Sequence, residues 1–122
     1  MKILIVDDHQ LFREGLVFIL ESLEEGVTVL QAANYDSALE IMDEHADLDI
    51  VLLDLRMPGL DGYSLLETAS ISYPELRIAV LSASRDRKEM QRAINSSAVG
   101  FIPKDTSSKL LINAVRMMLD GG

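Results

Sequence analysis

The sequence holds 122 residues, enough for one domain with a real core and too few for two. With 48% hydrophobic and 25% charged residues it has a globular balance, which argues against a disordered chain. Twenty acidic against 11 basic residues give a net charge of −9. A surface this negative is repelled by the phosphate rows of a duplex, so this chain is not itself expected to bind DNA.

Cysteine is absent, which excludes disulfides and cysteine–metal sites. The longest apolar runs, such as Ile3 to Val6 and Val17 to Leu20, are far too short to cross a bilayer, and no membrane association is expected. No N-terminal stretch joins basic residues to a long apolar region, so no secretory signal is read and the cytoplasm is the expected compartment.

Lys2 to Val6 is apolar after one lysine, the pattern of a strand buried on both faces. Leu11 to Leu23 follows at helical spacing, with Phe12, Leu16, Leu20 and Leu23 on one face. Thr28 to Ala32 reads as a second strand. Asp36 is placed to cap a helix carrying Leu39 and Met42 inward. Ile50 to Leu53 is a third buried strand, ended by Asp54. Pro58, Gly59 and Gly62 punctuate a loop before a helix over Tyr63 to Ser72. Pro74 closes that helix, and Arg77 to Leu81 is a fourth strand ending at Ser82. Asp86 and Glu89 have capping-box spacing for a helix through Asn95. Gly100 to Ile102 is a short fifth strand, followed by Pro103 and Lys104. Ser107 suits the cap of a last helix reaching about Leu119, ended by Gly121 and Gly122.

Five strands alternating with five helices call for right-handed crossovers and a parallel sheet. The expected architecture is a flavodoxin-like, doubly wound α/β fold with helices on both faces. Ligands of such sheets bind beyond the carboxyl ends of the strands, where this chain gathers its polar residues. Asp7 and Asp8 end the first strand, Asp54 the third and Ser82 the fourth, while Lys104 follows the fifth. At about 4 Å and an effective dielectric near 20, each pair of carboxylates costs on the order of 4 kcal/mol, so protons or a cation must enter. Hard oxygens with room for water favour Mg²⁺. An Asp carboxylate in such a pocket can act as nucleophile toward phosphorus, with Lys104 as a point charge and Ser82 as a hydroxyl donor.

Taken in order, Asp7-Asp8, Asp54, Met57-Pro58-Gly59, Asp61-Gly62, Ser82-Ala83 and Gly100-Phe101-Ile102-Pro103-Lys104 resemble the receiver domain of bacterial two-component response regulators, over essentially the whole chain. The opening Asp8-His9-Gln10-Leu11-Phe12-Arg13-Glu14-Gly15-Leu16 further resembles the LuxR-type (NarL/FixJ) subfamily. The resemblance implies a receiver over residues 1–122 as the N-terminal part of a longer regulator with a C-terminal helix-turn-helix DNA-binding domain. It implies that Asp54 takes a phosphoryl group from a sensor histidine kinase, the receiver catalysing its own transfer and dephosphorylation. Asp8, Asp54 and the carbonyl of Arg56 would hold Mg²⁺, with Asp7 acting mostly through a water. Lys104 would pair with the phosphoryl oxygens, Ser82 would move to hydrogen-bond them, and Phe101 would turn into the space Ser82 leaves. Arg56 and Ser84, at the pocket mouth, would tune the lifetime of the phosphorylated state.

Two positions depart from the family pattern. The switch aromatic is Phe101 where many relatives have Tyr, so no hydroxyl is available to bond a neighbouring backbone. Asp105 follows Lys104 where Pro is frequent, so a cis bond there would be a non-proline one costing about 3 kcal/mol.

Taken singly, the residues have plainer roles. Asp7 and Asp8 suit a helix cap, Asp54 a turn, Asp61-Gly62 a turn without chemistry, Ser82 a strand-end hydroxyl, Lys104 a solvated cation and Phe101 the core. His9 and His45 read as isolated solvated residues, Met117 and Met118 as packing, and Arg85, Arg87 and Lys88 as a solvated helix start. The first and last helices carry apolar residues on more than one face, including Leu11, Phe18, Leu110 and Met117. Wide core contact accounts for that, and a homodimer or interdomain surface is the sharper reading.

Rival chemistries fit less well. A haloacid-dehalogenase-type phosphatase needs an Asp two residues after its nucleophile, where this chain has Arg56. A flavin or nucleotide binder needs glycines and backbone N–H groups in the first loop, where this chain has Asp7-Asp8-His9-Gln10. A stand-alone or phosphorylation-independent receiver-like interaction module is the alternative that keeps the fold.

Overall fold

Strand residues that alternate between two apolar faces decide this architecture. In the computed structural model, which describes residues 1–58 and 61–121, five parallel strands form one sheet in the order β2-β1-β3-β4-β5. They are β1 (Lys2–Val6), β2 (Thr28–Ala32), β3 (Ile50–Asp54), β4 (Arg77–Ser82) and β5 (Gly100–Pro103). Five helices alternate with them: α1 (Gln10–Leu20), α2 (Tyr35–Glu44), α3 (Gly62–Ser72), α4 (Arg87–Asn95) and α5 (Ser108–Leu119). Gly59 and Gly122, which figure in the sequence reading, lie outside the described residues. The expected doubly wound α/β fold is the one observed, with β2 and β3 flanking β1.

Successive strand side chains point to opposite faces, so each face builds its own core. Leu4, Val6, Val51, Leu53, Ile78 and Val80 pack against α2, α3 and α4 through Tyr35, Met42, Leu66 and Ala93. Ile3, Ile5, Ile50, Leu52, Ala79 and Leu81 pack against α1 and α5 through Leu16, Leu20, Leu111 and Val115. The three central strands β1, β3 and β4 are covered on both sides, which explains their nearly unbroken apolar runs. Among the described residues, no helix is long and apolar enough to cross a membrane.

Several local expectations need correction. The first helix ends at Leu20, three residues early, because the chain tightens into i→i−3 bonds: Ser22 N to Ile19 O (3.2 Å) and Leu23 N to Leu20 O (3.0 Å). Leu23 is still buried. The cap of α2 is Asn34, whose side chain accepts from Ser37 N at 2.8 Å, while Asp36 stands exposed in the first turn. The earlier start places Tyr35 inside the helix, where it is buried and its hydroxyl donates to Asp54 O at 2.8 Å. Burial pushes the Tyr35 phenol up to about 12.

Asp86 does cap α4, accepting from Lys88 N at 2.9 Å, but no capping box closes, because Glu89 turns to Arg56 and Asp86 N donates to Ser84 Oγ. Asp61 is the cap of α3 and accepts from Tyr63 N at 3.1 Å, a role the plain-turn reading lacked. No described peptide bond is cis, the one after Lys104 included. Met117 is exposed rather than packed, as are Leu11, Phe18 and Leu110. Wide core contact therefore does not account for these four side chains.

Two glycines make opposite predictions. A Cβ on Gly62 would lie 2.6 Å from Leu55 Cα and 2.7 Å from Leu55 O, both backbone atoms that cannot swing away. Gly15, inside α1, meets nothing within 4 Å. Gly62→Ala should destabilise the fold by about 1–3 kcal/mol through overpacking, whereas Gly15→Ala should stabilise it by about 0.5–1 kcal/mol through helix propensity. Urea unfolding of both variants checks this, and equal effects would contradict the close approach at Gly62.

Candidate functional site

Each polar residue named at a strand end sits where an apolar strand emerges from the core. Asp7 directly follows β1, Asp54 and Ser82 end β3 and β4, and Lys104 directly follows β5. Asp54 pairs with Leu81 in register and Ser82 with Pro103, so the chain ends gather along one sheet edge. The Lys104 amide donates to Ser82 O at 2.7 Å, continuing the ladder one residue past β5.

The Lys104 ammonium reaches across that edge. Its Nζ donates to Asp54 Oδ2 at 2.8 Å and lies 2.7 Å from Asp7 Oδ2. The second contact is a close ion pair with poor hydrogen-bond alignment, and Asp7 Oδ2 has no well-formed hydrogen bond. Both carboxylates are buried, Asp7 completely. Burial works against the charge on Lys104, but Asp54 and Asp7 outweigh it and hold its pKa above the usual lysine value. Burial likewise pushes the Asp7 carboxyl up, and the contacts from Lys104 and His9 more than reverse it, leaving Asp7 below the ordinary carboxylate range.

Asp8 is exposed beside this pair. One ligand atom from each of Asp7, Asp8, His9 and Asp54 falls within 4.8 Å of the others. Hard carboxylate oxygens, one of them buried without a hydrogen bond, suit a divalent cation. Neither Asp7 nor Asp8 caps α1, because His9 holds the cap position, with its backbone N–H donating to Asp7 Oδ1 at 2.9 Å. Arg56 N donates to Asp54 Oδ1 at 2.8 Å, fixing the second carboxylate oxygen. Its guanidinium turns away to an ion pair with Glu89 on α4.

Ser82 is buried, and its Oγ accepts from Ser84 N at 3.0 Å. Phe101 is half-buried, paired in register with Val80 and packed on the α2–α3–α4 side. Val80 and Ser82 share that side of β4 by alternation, so Ser82 and Phe101 lie on the same face of neighbouring strands.

The structure also brings in three residues that the sequence reading left out of the site. His9, taken there for a solvated residue, puts Nδ1 2.8 Å from Asp7 Oδ1 and 3.2 Å from Lys104 Nζ. Phe12 lays its ring 4.9 Å from the Lys104 ammonium, a cation–π contact. Arg13 donates to Asp7 O at 2.6 Å. His9 holds the N-cap position of α1 and Phe12 and Arg13 lie in its first turn, so the position of α1 just beyond Asp8 is the signal that could have found them.

Residues 3–116 match the family model of the response regulator receiver domain. Among curated proteins, the chain is 38% identical over 120 residues to the glycerol metabolism activator of Pseudomonas putida, covering 98% of this chain and 54% of that protein. It is 34% identical over 116 residues to a probable transcriptional regulatory protein NarL of Mycobacterium tuberculosis, covering 94% of this chain and 53% of that one. The chain thus spans about half the length of the curated relatives it matches. Among solved structures, it resembles the signal receiver domain of the M. tuberculosis NarL at 36% identity, covering 99% and 97% of the two chains with a TM-score of 0.87. A LuxR family DNA-binding response regulator from Silicibacter pomeroyi aligns at 30% identity over 99% and 93%, with a TM-score of 0.86.

Lys104 is the cation that contacts both buried carboxylates, so its loss leaves them uncompensated. Lys104→Met is expected to lower unfolding stability by about 3 kcal/mol in the absence of divalent cations, the scale for one missing partner of a buried pair. Added Mg²⁺ should restore more stability to the variant than to the wild type. A loss below about 1 kcal/mol would instead mean that protons or solvent neutralise the carboxylates without Lys104.

Proposed function

Because this chain belongs to the response regulator receiver domain family, we propose that it is a phosphorylation-activated switch in which Asp54 accepts a phosphoryl group from a sensor histidine kinase. The observation that carries the reading is the buried Asp54 carboxylate, held between Arg56 N and Lys104 Nζ inside an acidic cluster at the sheet edge. An Asp54 oxygen attacks phosphorus while the P–N bond to the kinase imidazole breaks, and the imidazole leaves with the electron pair. Asp8, Asp54 and the Arg56 carbonyl would hold Mg²⁺, with Asp7 acting through a water. When bound, Mg²⁺ supplies positive charge to the transferring oxygens.

Lys104 is already aimed at Asp54 and would pass to the phosphoryl oxygens. Ser82, whose Oγ accepts one backbone hydrogen bond, keeps its own proton to donate to them. Phe101, on the same face, would fill the space that Ser82 leaves. The new charge of roughly −1.5 to −2 is enough to bias such a two-state element. In this reading residues 1–122 are the receiver of a longer cytoplasmic regulator, and the altered surface controls a helix-turn-helix DNA-binding domain. The names of the relatives as transcriptional regulators support that output.

The four exposed apolar side chains favour a second surface. Leu11 and Phe18 are seven residues apart on α1, and Leu110 and Met117 seven apart on α5, so each pair shares one helix face. They are 84%, 80%, 61% and 61% exposed, in that order. Phe18 borders a groove that α1 forms with Ile112 and Arg116 of α5, whereas Leu110 and Met117 do not line it, and we propose that this α1–α5 groove is where two copies meet.

Incubation with acetyl phosphate and Mg²⁺ should add one phosphoryl mass to the intact chain, and Asp54→Asn or omission of Mg²⁺ should abolish the gain. Arg56→Ala is expected to be phosphorylated but to lose the group at a different rate, and equal lifetimes would remove Arg56 from that role. No gain despite demonstrated Mg²⁺ binding would favour a phosphorylation-independent interaction module. For the second surface, Phe18→Asp should keep the chain monomeric in sedimentation under conditions where the phosphorylated wild type dimerises. A wild type that stays monomeric when phosphorylated, or a variant that dimerises equally, would sink the α1–α5 proposal.

A further inference from the structure

His9 holds the N-cap position of α1, where side chains commonly fold back onto the helix. Its imidazole makes no such cap bond and lies across the acidic pocket instead. Nδ1 is 2.8 Å from Asp7 Oδ1 and 3.4 Å from Asp8 Oδ1. The Lys104 ammonium marks where the pocket holds positive charge. Three groups surround it: Asp7 Oδ2 at 2.7 Å, Asp54 Oδ2 at 2.8 Å and His9 Nδ1 at 3.2 Å. His9 therefore already faces the position of a cation, alongside a fully buried Asp7 whose Oδ2 lacks an aligned hydrogen bond.

Resting on the metal-binding half of the function proposed above, we infer that His9 is a selectivity ligand, through which the pocket binds borderline divalent ions such as Zn²⁺ and Ni²⁺ more tightly than Mg²⁺. Carboxylates alone offer only hard oxygens, which suit Mg²⁺, while an imidazole nitrogen suits Zn²⁺ and Ni²⁺ and adds little for Mg²⁺. Two ligand atoms bonded at about 2.1 Å to one ion stand about 3 Å apart at right angles and about 3.4 Å apart in a tetrahedron. The 2.8 and 3.4 Å separations of Nδ1 from Asp7 and Asp8 span those spacings. The backbone bond from His9 N to Asp7 Oδ1, at 2.9 Å, holds the His9 main chain beside the same carboxylate. A Zn²⁺ bound this way would share Asp8 and Asp54 with Mg²⁺ and compete with it for the pocket.

Calorimetric titration of the wild type, His9→Ala and His9→Gln with Mg²⁺, Zn²⁺ and Ni²⁺ tests this, with His45→Ala as a control for the second histidine. Zn²⁺ and Ni²⁺ affinities should weaken roughly tenfold or more beyond any change in Mg²⁺ affinity in both His9 variants, and not in His45→Ala. Unchanged Zn²⁺ affinity in His9→Ala would overturn the inference. Full retention by His9→Gln would do the same, since the ring would then only orient Asp7. If the wild type binds no ion at all, the Mg²⁺-dependent function fails along with it. If Mg²⁺ binds and Zn²⁺ is indifferent to His9, only the selectivity role is lost.

Discussion

One ammonium, that of Lys104, holds the functional edge of this sheet together. β5 lies two strands from β3 and three from β1, roughly 10 and 14 Å away, so Lys104 meets Asp54 and Asp7 only because the three side chains extend toward one another. Nothing in the strand ladder requires that reach. Asp7 and Asp54, buried at adjacent strand ends, repel each other, and Lys104 is the ammonium that contacts both. Lys104 in turn leaves water for a half-buried position, a move opposed by desolvation and made favourable only by the two carboxylates. The result is a pocket in which one ammonium answers two buried carboxylates and leaves the site net negative. A group that neutralises the carboxylates differently, or brings its own negative charge, changes the partner of Lys104.

The rest of the fold keeps those carboxylates where they are. Asp54 is fixed on three sides: Arg56 N at Oδ1, Lys104 at Oδ2 and the Tyr35 hydroxyl at the backbone carbonyl. Tyr35 can reach that carbonyl because α2 begins one turn past β2, and because Gly62 has no side chain. A Cβ there would lie 2.7 Å from the Tyr35 oxygen as well as against Leu55. The glycine that looks like loop punctuation is therefore a packing requirement at the base of the site.

The architecture and the acidic edge were legible because both follow from short-range patterns. Apolar runs ending in Asp7, Asp54 and Ser82 identify strands and their carboxyl ends at once, and the sheet order brings those ends together. The errors came where a residue has two uses that sequence spacing cannot separate. Asp36 and Asn34 are both good caps, and what chose Asn34 was the tertiary requirement to bury Tyr35. Glu89 has capping-box spacing to Asp86 but pairs with Arg56, a residue 33 positions earlier. His9 looked solvated because an isolated histidine after two aspartates carries no periodicity. Its side chain is in fact 65% exposed, and only its Nδ1 meets the pocket. Exposure by residue and placement by atom answer different questions.

The helix that Arg56 pairs with, α4, also has the smallest buried face. Within α4 only Ala93 is buried, whereas α3 buries Leu65, Leu66 and Ala69 besides Gly62. Much of what ties α4 to the β3–α3 segment is polar: Arg56 to Glu89, the Tyr63 hydroxyl to Glu89 O at 3.5 Å, and Arg92 over the Tyr63 ring at 3.9 Å. Contacts of this kind at partly exposed positions each contribute little. Glu89 also leaves its Oε2 buried without a hydrogen bond, which weakens the arrangement further. An element with so small an apolar footing shifts at low free energy, while the strands beneath it, covered on both faces, do not. Arg56, whose N–H holds Asp54 Oδ1, also pairs through its guanidinium with Glu89, so the helix with the fewest buried residues is directly tied to the pocket.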